Sequence, residues 1–484
     1  MFRMGWQRGP ALSERIAIHW FRQDLRLSDN LALTNAAEHE AILPIYILDD
    51  YNSGNYIMGR GSRWWLHHSL QALNASVGKR LSVYHGNPQK ILNDILKRFD
   101  VQAVYWNRCY EPWRMHRDTL IKDNLKKLGI EVHTFNGSLL WEPWKIKKDD
   151  GTPYKVFTSF SRRGCFNAEA PIAPFPKMES VNYIDDKNHL VIDELGLLPK
   201  RPWDKQLEPH WDVGEKAARK RLEAFVDEGL SFYKDGRNLP AKPYVSRLSP
   251  YLHYGEISPN QLWHAVRSIG DDTHIEHFCS QLGWREFSYS QLYHNPDLPQ
   301  KNLQTKFDRF PWVNDSAALN AWQKGQTGVP MVDAGMRELW QTGYMQNRVR
   351  MIVGSFLLKN LRLHWHHGER WFWDNLVDAD LANNSASWQW IAGCGADAAP
   401  YFRIFNPVTQ GQKFDPDGEY VRQYIPEIAS LQNKYLFNPS EAPEPILKEA
   451  CIKLGSTYPN PIVDLKKSRE LALQAFQSLK QGEP

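Results

Sequence analysis

Short apolar runs alternate with longer mixed stretches through the first third of the chain. IAIHWF (16–21), AILPIYIL (41–48), LSVYHG (81–86), VQAVYWN (101–107) and EVHTFNG (131–137) have the length and composition of strands. The stretches between them, such as 61–79, 87–99 and 111–128, are long enough for crossover helices. Strand, helix, strand in succession predicts right-handed βαβ units, and so a parallel five-stranded, Rossmann-like sheet covered on both faces. From 138 to 212 the periodicity is lost, and prolines stand at 143, 153, 171, 174, 176, 199, 202 and 209. Such a segment predicts a long connector, draped over the surface in fixed extended pieces. From Trp211 to about Leu431 apolar residues recur at helical spacing, with helices expected at 215–233, 258–269, 274–294, 316–324, 331–341 and 344–361. Ser258-Pro259 opens one of them as cap and first-turn proline. The tail is proline-punctuated and ends in one charged helix. The expected division is an α/β domain over 15–137, a connector over 138–212, and an all-helical domain with a tail over 213–484.

Composition narrows the function classes. A chain of 484 residues with 42% hydrophobic and 24% charged residues is ordinary for a soluble globular protein. The net charge of +4 is too weak for global attraction to nucleic acid, so any such site must be a local patch. Twenty tryptophans are the outlying count. Flat aromatic surfaces serve cofactor stacking, base stacking or electron transfer, and a large core also uses them. Five dispersed cysteines without a CxxC predict a reducing compartment, no structural disulfide and no thiolate metal site. The opening MFRMGWQRGPALSER lacks the apolar run of a signal peptide, and no run of about 18 apolar residues predicts a membrane span. The expectation is a soluble, cytoplasmic protein. Neither GxGxxG nor GxxxxGK[ST] follows any strand, which leaves a dinucleotide or P-loop site in the α/β half unsupported.

Motifs that carry chemistry lie mostly in the helical half. DADLANNSASWQWIAGCGADAAPYFRIFNP (378–407) concentrates acids, amides, two tryptophans and an arginine. PYVSRLSPYLHYGEISP (243–259) offers hydroxyls and backbone amides at a helix entrance, an arrangement suited to phosphate oxygens. In FCSQLGWREFSYS (278–290), Gln281 and Trp284 share one helix face, and in YMQNRVRMIVGSF (344–356) Asn347 and Met351 share another. Two such faces can enclose a pocket. With WFRQDLRLSDN (20–30) near the start, these stretches in this order resemble the photolyase/cryptochrome family, most closely its bacterial cyclobutane-dimer branch.

That resemblance implies light-driven repair of cyclobutane pyrimidine dimers in DNA by electron transfer from reduced FAD to a flipped-out dimer. A blue-light-sensing cryptochrome is the alternative. The family's pyrophosphate motif TSxLSP maps onto Val245, Ser246, Arg247, Leu248 and Ser249, with valine where threonine is usual, and Tyr233 joins the cofactor set. Arg350 and Asp378 match the ion pair beside the isoalloxazine, and Asp380 belongs to the same segment. Asn384 matches the amide facing flavin N5. Trp388, Trp365 and Trp312 match three tryptophans that carry an electron between surface and flavin. Gln281, Trp284, Asn347, Met351 and Trp390 match the dimer pocket, and Arg237, Arg348 and Arg403 match phosphate contacts in UV-damaged DNA. Gln281 departs from the usual glutamate. Glutamine keeps size and hydrogen bonding but has no carboxyl proton to share. NRCYEP (107–112) resembles an antenna motif, with Asn107 and Glu111 expected to hold methenyltetrahydrofolate; a deazaflavin antenna stays open, as does a plain charged turn. A monomer is expected.

Overall fold

The computed structural model describes residues 15–398 and 402–479. The opening stretch read for a leader therefore lies, but for Arg15, outside the described residues. Five strands form the first layer: β1 (Arg15–Phe21), β2 (Ala41–Leu48), β3 (Ser82–His85), β4 (Asp100–Asn107) and β5 (Glu131–Phe135). All pairings are parallel, in the order β3-β2-β1-β4-β5. The crossovers run through α1 (Leu31–Ala36), α2 (Arg60–Ser76), α3 (Pro88–Leu96) and α4 (Pro112–Lys127). β2 is buried along its whole length, as a strand covered on both faces must be. The Rossmann-like sheet expected from the alternation is present.

Strand order reverses between β1 and β4, the place where open α/β sheets usually bind ligands. Here the chain fills that crevice itself. Arg22, just beyond β1, donates to the carbonyl of Asn107 and pairs with Asp118, and its guanidinium lies over the rings of Trp20 and Trp106 at 5.1 and 5.7 Å.

Residues 138–212 return across the α/β domain. Ile42 exchanges backbone hydrogen bonds with Asn182 and Ile184, both 2.9 Å, and Leu190 N donates to Val83 O. Another part of this segment, Phe157–Gly164, packs against the helical half. There Phe157 stacks on Trp284, with centroids 3.9 Å apart and planes 11° off parallel.

The helical half includes α5 (Ser249–Tyr254), α6 (Thr273–His294), α7 (Asn347–Ser355), α8 (Trp365–Asn375) and α9 (Leu381–Ala392). Two boundaries differ from the periodicity. The helix expected over 215–233 holds only to Ala224 and then changes pitch, to a wider turn over Phe225–Gly229 and a tighter one over Leu230–Phe232. The helix expected over 344–361 begins at Asn347, since the Gln346 side chain accepts from the amides of Arg348 and Val349 and caps it there. Beyond the core of this half, the tail adds short turns before its helix Leu465–Ser478. No helix among the described residues is long and apolar enough to cross a membrane.

Candidate active site

A cavity of about 720 Å³ opens in the helical half, walled by α5, α6, α7 and α9. Its volume lies within the range of roughly 300–1,000 Å³ that encloses sizeable organic ligands. Ser249 comes from α5, Gln281 and Trp284 from α6, Asn347, Arg350 and Met351 from α7, and Asn384, Trp388 and Trp390 from α9. Tyr233, Ser246, Leu248, Asp378 and Asp380 also line it, as do Arg237, Arg348 and Arg403.

An ion pair sits deep in this wall. One Arg350 nitrogen donates to both Asp378 carboxylate oxygens, at 3.0 and 2.8 Å, and Ser249 Oγ donates to Asp378 at 2.6 Å. The Asp378 side chain is 4% exposed, so removing either charge would leave its partner poorly solvated. Two residues on, Asp380 caps α9 by accepting from the Asn383 amide at 2.8 Å. Burial alone would raise its pKa; His253 at 3.6 Å, the charge of Arg285 and a hydrogen bond from Tyr289 overcome that and hold it at about 2. A permanent carboxylate therefore faces the cavity from the start of the helix.

Asn384 is oriented by its own neighbours. Its amide nitrogen donates to the Glu369 carbonyl at 3.0 Å and to the Glu369 carboxyl at 3.3 Å. That leaves the carbonyl oxygen of Asn384 for a donor in the cavity. Burial raises the Glu369 pKa to about 7, against the pull of Arg370 and the Asn384 bond. Glu369 and His253 did not stand out in the sequence; Glu369 works from behind Asn384, and His253 lines the cavity beside Asp380.

The mouth is basic and aromatic. Arg237 donates to Gln281 Oε1 at 2.8 Å. Arg348 donates to Asn238 at 3.0 Å and lies 4.5 Å over the Phe414 ring. Burial, and then the charge of Arg237, lower its pKa. Arg403 lies 5.6 Å over Trp390, and Asn347 Nδ2 is 4.0 Å from the Met351 sulfur.

Trp388 and Trp365 are buried and Trp312 is half-buried. Trp388 presses against α8 where only glycine fits: a Cβ on Gly368 would come 2.1 Å from its ring. Trp365, one turn earlier on α8, donates its indole N–H to Asn302 at 2.9 Å. α8 thus carries the middle tryptophan one turn before the glycine on which the cavity-lining one packs.

Three expected positions fall elsewhere. Val245 and Arg247 do not line the cavity. Arg247 has φ of +52°, and its guanidinium stacks over Trp211 at 4.3 Å and Tyr344 at 5.0 Å, so it braces the loop from outside. Asn107 lies at the end of β4: its amide nitrogen donates to Asp24 at 2.6 Å and to Asn30 at 2.8 Å, and its buried carbonyl oxygen has no partner. Glu111 does border a space between the two halves, with one carboxylate oxygen unpartnered and the other 3.4 Å from Arg114. That space is only about 30 Å³. It holds about one water molecule, so the residues as arranged do not fit an antenna chromophore.

Comparison with known proteins agrees with this geometry. A model described as the FAD binding domain of DNA photolyase matches residues 278–478, and one described as DNA photolyase matches 17–179. A deoxyribodipyrimidine photo-lyase of Agrobacterium fabrum is 46% identical over 96% of this chain and 98% of its own length. Cryptochrome-2 of Arabidopsis thaliana is 35% identical over 97% of this chain and 80% of its own. The crystal structure of a bacterial class III photolyase from Agrobacterium tumefaciens superposes with a TM-score of 0.93 at 45% identity, covering 98% of this chain and 99% of that one.

Proposed function

The chain belongs to the photolyase/cryptochrome family, and from that premise we propose that it is a light-driven deoxyribodipyrimidine photolyase acting on cyclobutane dimers in DNA. The observation that carries the reading is one cavity whose deep wall suits a flavin and whose mouth suits a nucleic acid lesion. The deep residues fit FAD. Ser246 offers a hydroxyl beside the helix entrance that Ser249 opens, Arg350 offers an anchored cation, and Asn384 presents a carbonyl oxygen to a ring N–H. Bound there, reduced FAD would supply an electron on absorbing blue light and take it back after the dimer splits.

The protein's own contributions are binding, orientation and exclusion of water. Trp284, braced by Phe157, and Trp390 offer flat apolar surfaces to a flipped pyrimidine pair, and base flipping is general for enzymes acting on a base. Gln281 and Asn347 offer amides to base edges, while Met351 packs against the apolar side. Arg237, Arg348 and Arg403 meet phosphates on either side of the lesion. Trp312, Trp365 and Trp388 would form the path by which electrons from an external reductant such as a thiol reach the flavin site.

An antenna, methenyltetrahydrofolate or a deazaflavin, draws support from the unpartnered oxygens of Asn107 and Glu111, and the small space beside Glu111 assigns no step to such a group. We take the working protein to be a cytoplasmic monomer that meets the nucleoid through DNA, with its functional division at 15–137, 138–212 and 213–484. The test is direct. Reduced, FAD-loaded protein illuminated with a dimer-containing oligonucleotide should consume the lesion. Persistence of the lesion together with intact flavin photochemistry would favour the cryptochrome alternative.

A further inference from the structure

We infer that His364 is a positioning residue of the tryptophan relay, its imidazole bridging the gap between Trp365 and Trp312. This rests on the relay reading given above. The imidazole stacks on Trp365 with centroids 5.7 Å apart and planes at 27°, and it meets Trp312 edge-on at 5.2 Å and 67°. It is held in that place. As the residue capping α8, His364 accepts from the His366 amide at 3.3 Å through Nδ1. Trp365 is fixed from its other edge by Asn302 at 2.9 Å.

Two properties make an imidazole suited to the position. Electron tunnelling decays more steeply across empty space than across atoms in contact, so a ring touching both indoles shortens the costly part of the path. A hole moving from Trp365 to Trp312 is also destabilised by any cation between them. The groups around His364 keep it neutral: burial first, then His366, His367 and Arg370, hold its pKa near 4, with Asp308 alone pulling the other way. In the step, one electron leaves Trp312 and fills the hole on Trp365. His364 ends unchanged, and an external thiol re-reduces Trp312.

The test uses FAD-loaded protein with oxidised flavin and follows transient absorption of tryptophan radicals after a laser pulse. His364→Leu keeps bulk without a π system, and His364→Phe keeps a ring. The Leu variant should shorten the radical lifetime and lower flavin photoreduction several-fold, with the flavin spectrum and circular dichroism unchanged. The Phe variant should recover most of the loss. If His364→Leu matches wild type while Trp312→Phe loses the signal, the inference fails and the relay stands. If His364→Phe fails as badly as His364→Leu, ring contact is not what matters and the inference is overturned. If Trp388→Phe and Trp312→Phe both photoreduce normally, the relay reading itself is wrong, and the bridge falls with it.

Discussion

Gln281→Glu replaces the amide nitrogen by oxygen on a side chain whose Oε1 already accepts from an Arg237 guanidinium nitrogen at 2.8 Å. From sequence, the expected gain is a carboxyl able to share a proton with the dimer. The structure points to a different result. A carboxylate there would pair with Arg237 and have its pKa drawn down rather than up. At an effective dielectric of about 20 and a charge separation of about 4 Å the contact energy is roughly 4 kcal/mol, which solvent screening of two half-buried groups reduces to about 1 kcal/mol. The new carboxylate would stay ionised at neutral pH, and Arg237 would lose its net charge to the pair. DNA binding then releases about one counterion fewer, flattening the slope of log K against log salt by about 0.9 and weakening affinity about fivefold near 0.15 M salt. Anisotropy titrations of a dimer-containing oligonucleotide between about 50 and 200 mM salt measure both quantities, alongside repair yield per photon. An unchanged salt slope with a higher repair yield would refute the argument, showing a carboxyl that escapes Arg237 and works as a proton partner.

Other outcomes follow from the same geometry. Arg403→Ala should also flatten the salt slope by about 0.9 without changing preference for dimers over intact DNA, as titrations with paired oligonucleotides would show. Asp378→Ala leaves Arg350 unpaired in the deep wall and should cost about 3 kcal/mol in chemical denaturation while FAD is lost on gel filtration. Gly368→Ala forces a methyl into the Trp388 ring, so a loss of about 1–3 kcal/mol and slower flavin photoreduction are expected. Burial lifts the Glu256 pKa from 4.5 to about 8, against hydrogen bonds from Ser69, Trp65 and the Gly214 amide. Its folded pKa is raised, so its stabilising contribution is full below about pH 4.5 and is lost as pH rises through about 8. Glu256→Gln should flatten the fall in melting temperature across that window.

The sheet was legible because a parallel strand covered on both faces shows as an unbroken apolar run, and β2 has no polar residue to break it. The cavity was legible because its residues sit in motifs whose spacing sets helix faces, as with Gln281 and Trp284. Arg247 misled for a local reason: the motif fixes its place in the loop, while its side chain lies on Trp211 and Tyr344 and does not line the cavity. Asn107 is half legible: its amide nitrogen holds Asp24 and Asn30, contacts that no spacing along the chain records, while its carbonyl oxygen has no partner. Glu369 and His364 were invisible for a like reason. Each depends on a neighbour brought to it by the packing of α8, and no spacing along the chain records that approach.

Phe157 beneath Trp284 bears on how such proteins can be recombined. The segment that tethers the two halves also supplies the underside of a substrate-facing ring. A chimera joined at residue 212, taking its helical half from a relative, would pair that tryptophan with a foreign support. Grafts that carry 154–167 along with the helical half should retain the ring's tilt, whereas grafts without it should bind cofactor yet grip the lesion loosely. The unit of exchange is set by this stacked pair rather than by the boundary that compactness alone would suggest.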